Sequence, residues 1–158
     1  MNMMVTTLDW VCLQSAVSVK EARDAYFDSS KGKIEALKFG KLLDSVDNNA
    51  VPVLLCYKGA SEMMKAKNAV NPISKYSFFK CGKMMIEAGV ARDTLCLESH
   101  FIRFSIQRNL PGFLGYNGNL TQDSILIARG LPNINDNDLK IKITEYFSRL
   151  KNGGKTGN

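Results

Sequence analysis

The chain is poor in the residues that carry most enzymatic and metal chemistry. It has a single histidine, His100, and four cysteines with no C-x-x-C pair among them. A zinc site needs clustered nitrogen and sulfur ligands, so neither a metal nor a cofactor is expected. No run of about 18 apolar residues occurs, so the sequence offers no transmembrane helix. Acid is the scarcer charge, with 15 acidic residues against 21 basic ones, a net +6 and a pI near 9.2. Where that excess sits matters more than its sum.

What is present suffices for one globular domain. The 158 residues are 45% hydrophobic and 23% charged. A domain of this size buries roughly 68–70% of its unfolded surface, and so builds a core without disulfides or metal. Eight Phe, five Tyr, one Trp and seven Met supply apolar volume. Disordered, collagen-like and disulfide-scaffold classes are excluded by this composition.

Cys12, Cys56, Cys81 and Cys96 each lie in an apolar stretch, which predicts buried free thiols in a reducing compartment. Met1 to Ala16 is mildly apolar but lacks a basic start, and Asp9 interrupts it. It reads poorly as a signal peptide, so a cytoplasmic location is expected. The alternative is an exported or periplasmic protein whose residues 1–17 are an atypical signal. The expected organisation is an N-terminal segment over 1–17 (a helix or a vestigial export signal), one helical domain over 18–150, and a disordered tail over 151–158.

Helical periodicity dominates the domain, with almost no strand-like alternation. Ser18-Val19-Lys20-Glu21 is a capping-box pattern opening a helix to about Ser29. A second helix is predicted over 33–46, with Ala36, Phe39, Leu43 and Val46 on one face. Pro52 opens a third, whose stripe is Val53, Cys56, Tyr57, Ala60, Met63 and Met64. Lys58, Glu62 and Lys65 fall on the opposite face. A fourth helix spans about 74–90, with Phe78, Gly82, Met85, Ile86 and Gly89 toward the core. Asp93-Thr94 caps a fifth over 95–109, apolar around most of its circumference and so expected in the middle of the bundle. The loop 109–119 carries Phe113, Leu114 and Tyr116, and should fold back onto the helices. Thr121 and Asp136 cap two further helices.

Seven short helices with short turns point to an all-α fold of antiparallel helical hairpins. Pro52 to Asp93, a helix, a break and a helix, resembles a tetratricopeptide-like unit. In such units small residues pair across the two helices, a role open to Gly59 or Ala60 against Cys81, Met85 and Ala88. The unit runs longer than the usual repeat, and Thr94 stands where the family has Pro. The resemblance implies a short stacked α-solenoid. Arg103 to Tyr116 is also similar to a signature of an uncharacterised family of small bacterial all-helical proteins, which implies no activity.

Three motif-like features dissolve on inspection. Gly154-Lys155-Thr156 imitates the close of a P-loop, but Arg149 occupies the required glycine position and no helix follows. Gly112, Gly115 and Gly118 lack the strand-to-helix setting of a dinucleotide fingerprint. The Asn133–Asp138 cluster has no glutamate at the twelfth loop position, so capping by Asp136 explains it better than calcium. No acid–base or nucleophilic constellation stands out, and the chain is not expected to be an enzyme.

The charge excess is local. Between Lys58 and Lys83 there are six lysines and one acid, Glu62, whereas the rest of the chain is nearly balanced. The expected function is therefore non-catalytic binding of a protein or peptide, favouring an acidic partner. Solenoid units bind through the first helix of each pair. That nominates Lys58, Glu62, Lys65, Arg103 and Gln107 as partner-binding residues. Two alternatives stand beside this reading. Nucleic acid or an anionic surface would require Lys58, Lys65, Lys75, Lys80 and Lys83 on one continuous face, with Tyr76, Phe78 and Phe79 able to stack on bases. An enzyme would require a pocket near His100, Arg103 and Tyr116. The partner's identity and the oligomeric state are not readable.

Overall fold

The computed structural model describes residues 17–153, and its regular elements among these are all helical. Expectations for residues 1–16 and for the tail beyond 153, Cys12 and the Gly154-Lys155-Thr156 motif included, lie outside the described residues. The α-helices are α1 (Val19–Asp28), α2 (Lys33–Leu42), α3 (Pro52–Asn68), α4 (Pro72–Arg92), α5 (Leu97–Asn109), α6 (Leu120–Gly130) and α7 (Asn137–Lys151). Short 3₁₀ turns at Ser29–Lys31, Gly112–Leu114 and Leu131–Asn133 join some of them.

The helix starts follow local chemistry. At α1 the Ser18 hydroxyl accepts from the Glu21 amide at 3.2 Å while Glu21 accepts from the Ser18 amide at 2.9 Å. Asp136 caps α7 by accepting from the Leu139 amide at 3.0 Å. Other boundaries move. The second helix ends at Leu42 rather than at 46, although Val46 still packs on the core through the following turn. Asn71 caps α4 and Pro72 begins it, so the fourth helix starts two residues before the expected 74. Thr121 is not the cap of α6, which begins behind Asn119 without a side-chain cap.

α5 divides the interior into two cores. Its Ile102 and Ile106 join Phe39, Leu43, Leu54, Tyr57 and Ile86 on one side. Its Phe101 and Phe104 join Ile127, Leu139, Ile143 and Tyr146 on the other. Every residue from Glu98 to Gln107 is consequently buried. The expectation of a central fifth helix is met, because a helix apolar on both sides needs neighbours on both. Phe27 of α1 stacks on Phe101 with ring centroids 5.7 Å apart.

α3 and α4 meet backbone to backbone. A Cβ added to Gly59 would lie 2.7 Å from the Gly82 carbonyl oxygen, and one on Gly82 would lie 2.6 Å from that of Gly59. A Cβ on Gly89 would strike the Cys56 sulfur and lie 2.6 Å from the Pro52 carbonyl oxygen. The small-residue seam expected between these helices thus exists, but in another register. Gly82 and Gly89 supply it, not Cys81, Met85 and Ala88, because only glycine permits contact this close.

Among the described residues no helix is long and apolar enough to cross a membrane.

Candidate functional site

Most polar residues of α5 come to rest inside the bundle, and Glu98, His100, Arg103 and Gln107 find partners outside their own helix. Arg103 sends Nε to Asp123 Oδ2 and Nη2 to Asp123 Oδ1, both at 2.7 Å. Its Nη1 donates to Glu87 Oε2 at 2.9 Å, and the Tyr116 hydroxyl donates to Glu87 Oε1 at 2.6 Å. Gln107 Nε2 donates to Asn119 Oδ1 at 3.2 Å. Burial opposes the ionisation of Asp123, but hydrogen bonds from Arg103 and His100 outweigh it and hold the carboxyl below its usual range.

His100 completes this cluster. Its Nδ1 lies 2.8 Å from Asp123 Oδ1 and its Nε2 lies 2.9 Å from the Thr94 carbonyl oxygen. A backbone carbonyl and an ionised carboxylate only accept, so both contacts are hydrogen bonds only when the ring is protonated. The Asp123 hydrogen bond, against a smaller cost of burial, accordingly raises the histidine pKa above its ordinary value.

A second buried arginine mirrors the first. Arg23 of α1 reaches Glu98 of α5 with Nε to Oε1 at 2.8 Å and Nη2 to Oε2 at 2.9 Å. Asp138 and Asp136 receive its outer nitrogens at 3.0 and 2.8 Å, tying α1 to the start of α7. The Tyr57 hydroxyl donates to the same Glu98 at 2.5 Å. Burial, then the Glu98 charge, pushes the Tyr57 pKa well above its ordinary value.

The five residues nominated from sequence do not form one open groove. Lys58, Glu62 and Lys65 come together, with Lys65 Nζ 2.7 Å from Glu62 Oε1 and both lysines within 3.8 Å of Asp44. Lys58 and Glu62 are buried, and only Lys65 keeps substantial exposure. Arg103 and Gln107 belong to the other, interior cluster and are buried too. The correction has a plain cause. α3 and α5 are enclosed by their neighbours, so the α5 strip pairs with other helices and the α3 strip pairs within itself and with Asp44 of the turn after α2.

The lysine-rich segment also divides. Lys58 and Lys65 are drawn toward Asp44 and Glu62, whereas Lys75, Lys80 and Lys83 stand exposed on α4. Lys83 Nζ sits 5.1 Å from the centre of the Tyr116 ring. The continuous face demanded by a nucleic-acid surface is therefore not formed by all five lysines. Of the three aromatics expected to stack on bases, Tyr76 is 65% exposed, while Phe79 packs on the first core and against Tyr116. The loop 109–119 is only half as expected. Tyr116 docks, but Phe113 is 87% exposed.

A shallow depression of about 280 Å³ reaches His100, lined also by Leu95, Leu97, Leu126 and Arg129. Arg103 and Tyr116, the other two residues of the expected enzyme pocket, do not line it. Both nitrogens of His100 are engaged, by Asp123 and the Thr94 carbonyl.

No protein-family model, curated protein or solved structure matches the chain.

The outer face of α4 is what the sequence reading overlooked. Ile73, Tyr76 and Met84 are 79%, 65% and 61% exposed and share that face with Lys80. A signal existed. With Phe78, Gly82, Met85, Ile86 and Gly89 assigned inward, Ile73, Tyr76 and Met84 had no core to enter. Among the described residues no three His, Cys, Asp or Glu side chains converge as metal ligands.

Proposed function

We propose that this protein is a non-catalytic helical binding module that takes an acidic protein or peptide segment on the outer face of α4. The observation that carries the reading is the contrast between its inner and outer charges. Arg23, Arg103, Lys58 and Lys65 all have carboxylate partners within the fold. Lys75, Lys80 and Lys83 lie on a helix whose own single acid, Glu87, is taken up by Arg103 and Tyr116. Their charge is thus left to attract something outside the chain. The tetratricopeptide-like, stacked-hairpin reading of the scaffold belongs to this proposal, and the glycine-tight α3–α4 hairpin supports it.

A protein partner is favoured over nucleic acid by the residues around these lysines. All three are Lys rather than Arg, and two of the three neighbouring aromatics are turned at least partly inward. The test is binding of a fluorescent polyglutamate peptide to the full chain at several salt concentrations. Binding should weaken with salt and vanish in the Lys75→Glu, Lys80→Glu, Lys83→Glu variant. A single-stranded oligonucleotide bound more tightly than the peptide, or a variant that binds as well as the parent, overturns the proposal.

A further inference from the structure

Resting on that reading, we infer that the segment bound by α4 is itself an amphipathic helix, apolar along one face and acidic along one edge. Ile73, Tyr76, Lys80 and Met84 are spaced i, i+3, i+7, i+11. At about 100° per residue they fall within an arc of about 80°, and at 1.5 Å per residue they form a stripe about 17 Å long. The three apolar members are each more than half exposed, whereas Ile86 and Val90 of the same helix are buried in the first core. Scattered exposed apolar residues need no explanation, but a continuous stripe does.

The charges around the stripe are lopsided. Lys83 projects from one side of it and Ser77 lies on the other, while Lys75 stands farther round the helix. Lys80 sits within the stripe, where its aliphatic stem extends the apolar surface and its ammonium remains free to pair. An extended acidic chain would satisfy the lysines and leave Ile73, Tyr76 and Met84 in water. A helix with leucine-like side chains every third or fourth residue covers them, and glutamates along one edge meet Lys80 and Lys83. The one-sided charge also sets the direction in which such a helix lies.

The probe is a synthetic helical peptide of about 18 residues, with leucines at i, i+3, i+7 and i+11 and glutamates along one flank. Its controls are a scrambled peptide of identical composition, polyglutamate, and vesicles containing phosphatidylglycerol. The helical peptide should bind the full chain about tenfold or more tighter than the scrambled one, which corresponds to about 1.4 kcal/mol. Changing Ile73→Ser together with Met84→Ser should remove that advantage and leave polyglutamate binding unchanged. Ile34→Ser, on the exposed side of α2, should alter neither. Circular dichroism of each variant confirms that the fold is retained. Equal affinity for helical and scrambled peptides overturns the helix inference and leaves the acidic-partner reading standing. Binding of no peptide overturns both. Vesicle binding that depends on Ile73 and Met84, with no peptide bound, also overturns both and assigns the stripe to an anionic membrane.

Discussion

Arg103 and Asp123 form a bidentate ion pair with side chains 7% and 0% exposed, and with His100 on the same carboxylate. Its counterpart, Arg23 with Glu98, joins the opposite flank of α5 at 6% and 8% exposure. The central helix thus contributes a base to one pair and an acid to the other. Each pair pins a different helix, α6 through Asp123 and α1 through Arg23. An apolar contact would tolerate rotation of α5, whereas two directional forks fix its orientation between the cores.

Removing one member of such a pair strands the other in a dry site. Asp123→Ala should cost about 3–5 kcal/mol, measured as the fall in urea unfolding free energy. The double variant Arg103→Met with Asp123→Leu should recover part of that loss, because neither member of the fork is left stranded and His100, without its carboxylate, can shed its proton. A double variant as unstable as the single one would show that the pair is net stabilising on its own account.

The His100 imidazolium gives the stability a definite pH dependence. The groups facing it are Asp123 of α6, Arg103 of α5 and the Thr94 carbonyl of the preceding turn, with Arg129 across the depression. Because its folded pKa is raised, its contribution is complete below about pH 6.5, the ordinary histidine value, and fades as pH rises through the folded value. An NMR titration of the ring should show a midpoint above the ordinary one. The stability difference between parent and His100→Gln should shrink as pH rises through that midpoint.

The α3–α4 seam should reject even a methyl group. Gly59→Ala or Gly82→Ala must push two backbones apart, at about 1–3 kcal/mol. Gly118→Ala, where an added Cβ meets nothing within 4 Å, should stay within about 0.5 kcal/mol of the parent. Thermal melts of the three variants check the contrast.

Cys56 should be chemically silent in the folded protein. Burial pushes its thiol up to about 12, so almost none is thiolate at neutral pH. Mass-mapped labelling with a maleimide should modify Cys56 only in denaturant, while half-buried Cys81 and Cys96 react in the native state.

Much of the fold was legible because it rests on local chemistry. The Ser18–Glu21 box, Pro52 at a first turn and the Asp136 cap are short-range hydrogen-bond solutions that a sequence displays directly. The apolarity of α5 around most of its circumference pointed to a central position. The candidate site was far less legible. Lys58, Glu62, Arg103 and Gln107 looked like solvated strips because periodicity marks a polar face without revealing whether another helix covers it.

The sequence by itself determined that the described chain is helical, where most helices begin, which one lies innermost, and that its excess charge is confined to one segment. Only the tertiary structure decided which charges are spent inside and which face outward. Asp123 stands 20 residues from Arg103, and Glu98 stands 75 from Arg23. Pairing at such separations depends on how whole helices dock, and docking is set by the glycine seam and the two cores together. The same docking left Ile73, Tyr76 and Met84 exposed beside Lys80, uncovered by any of the described residues.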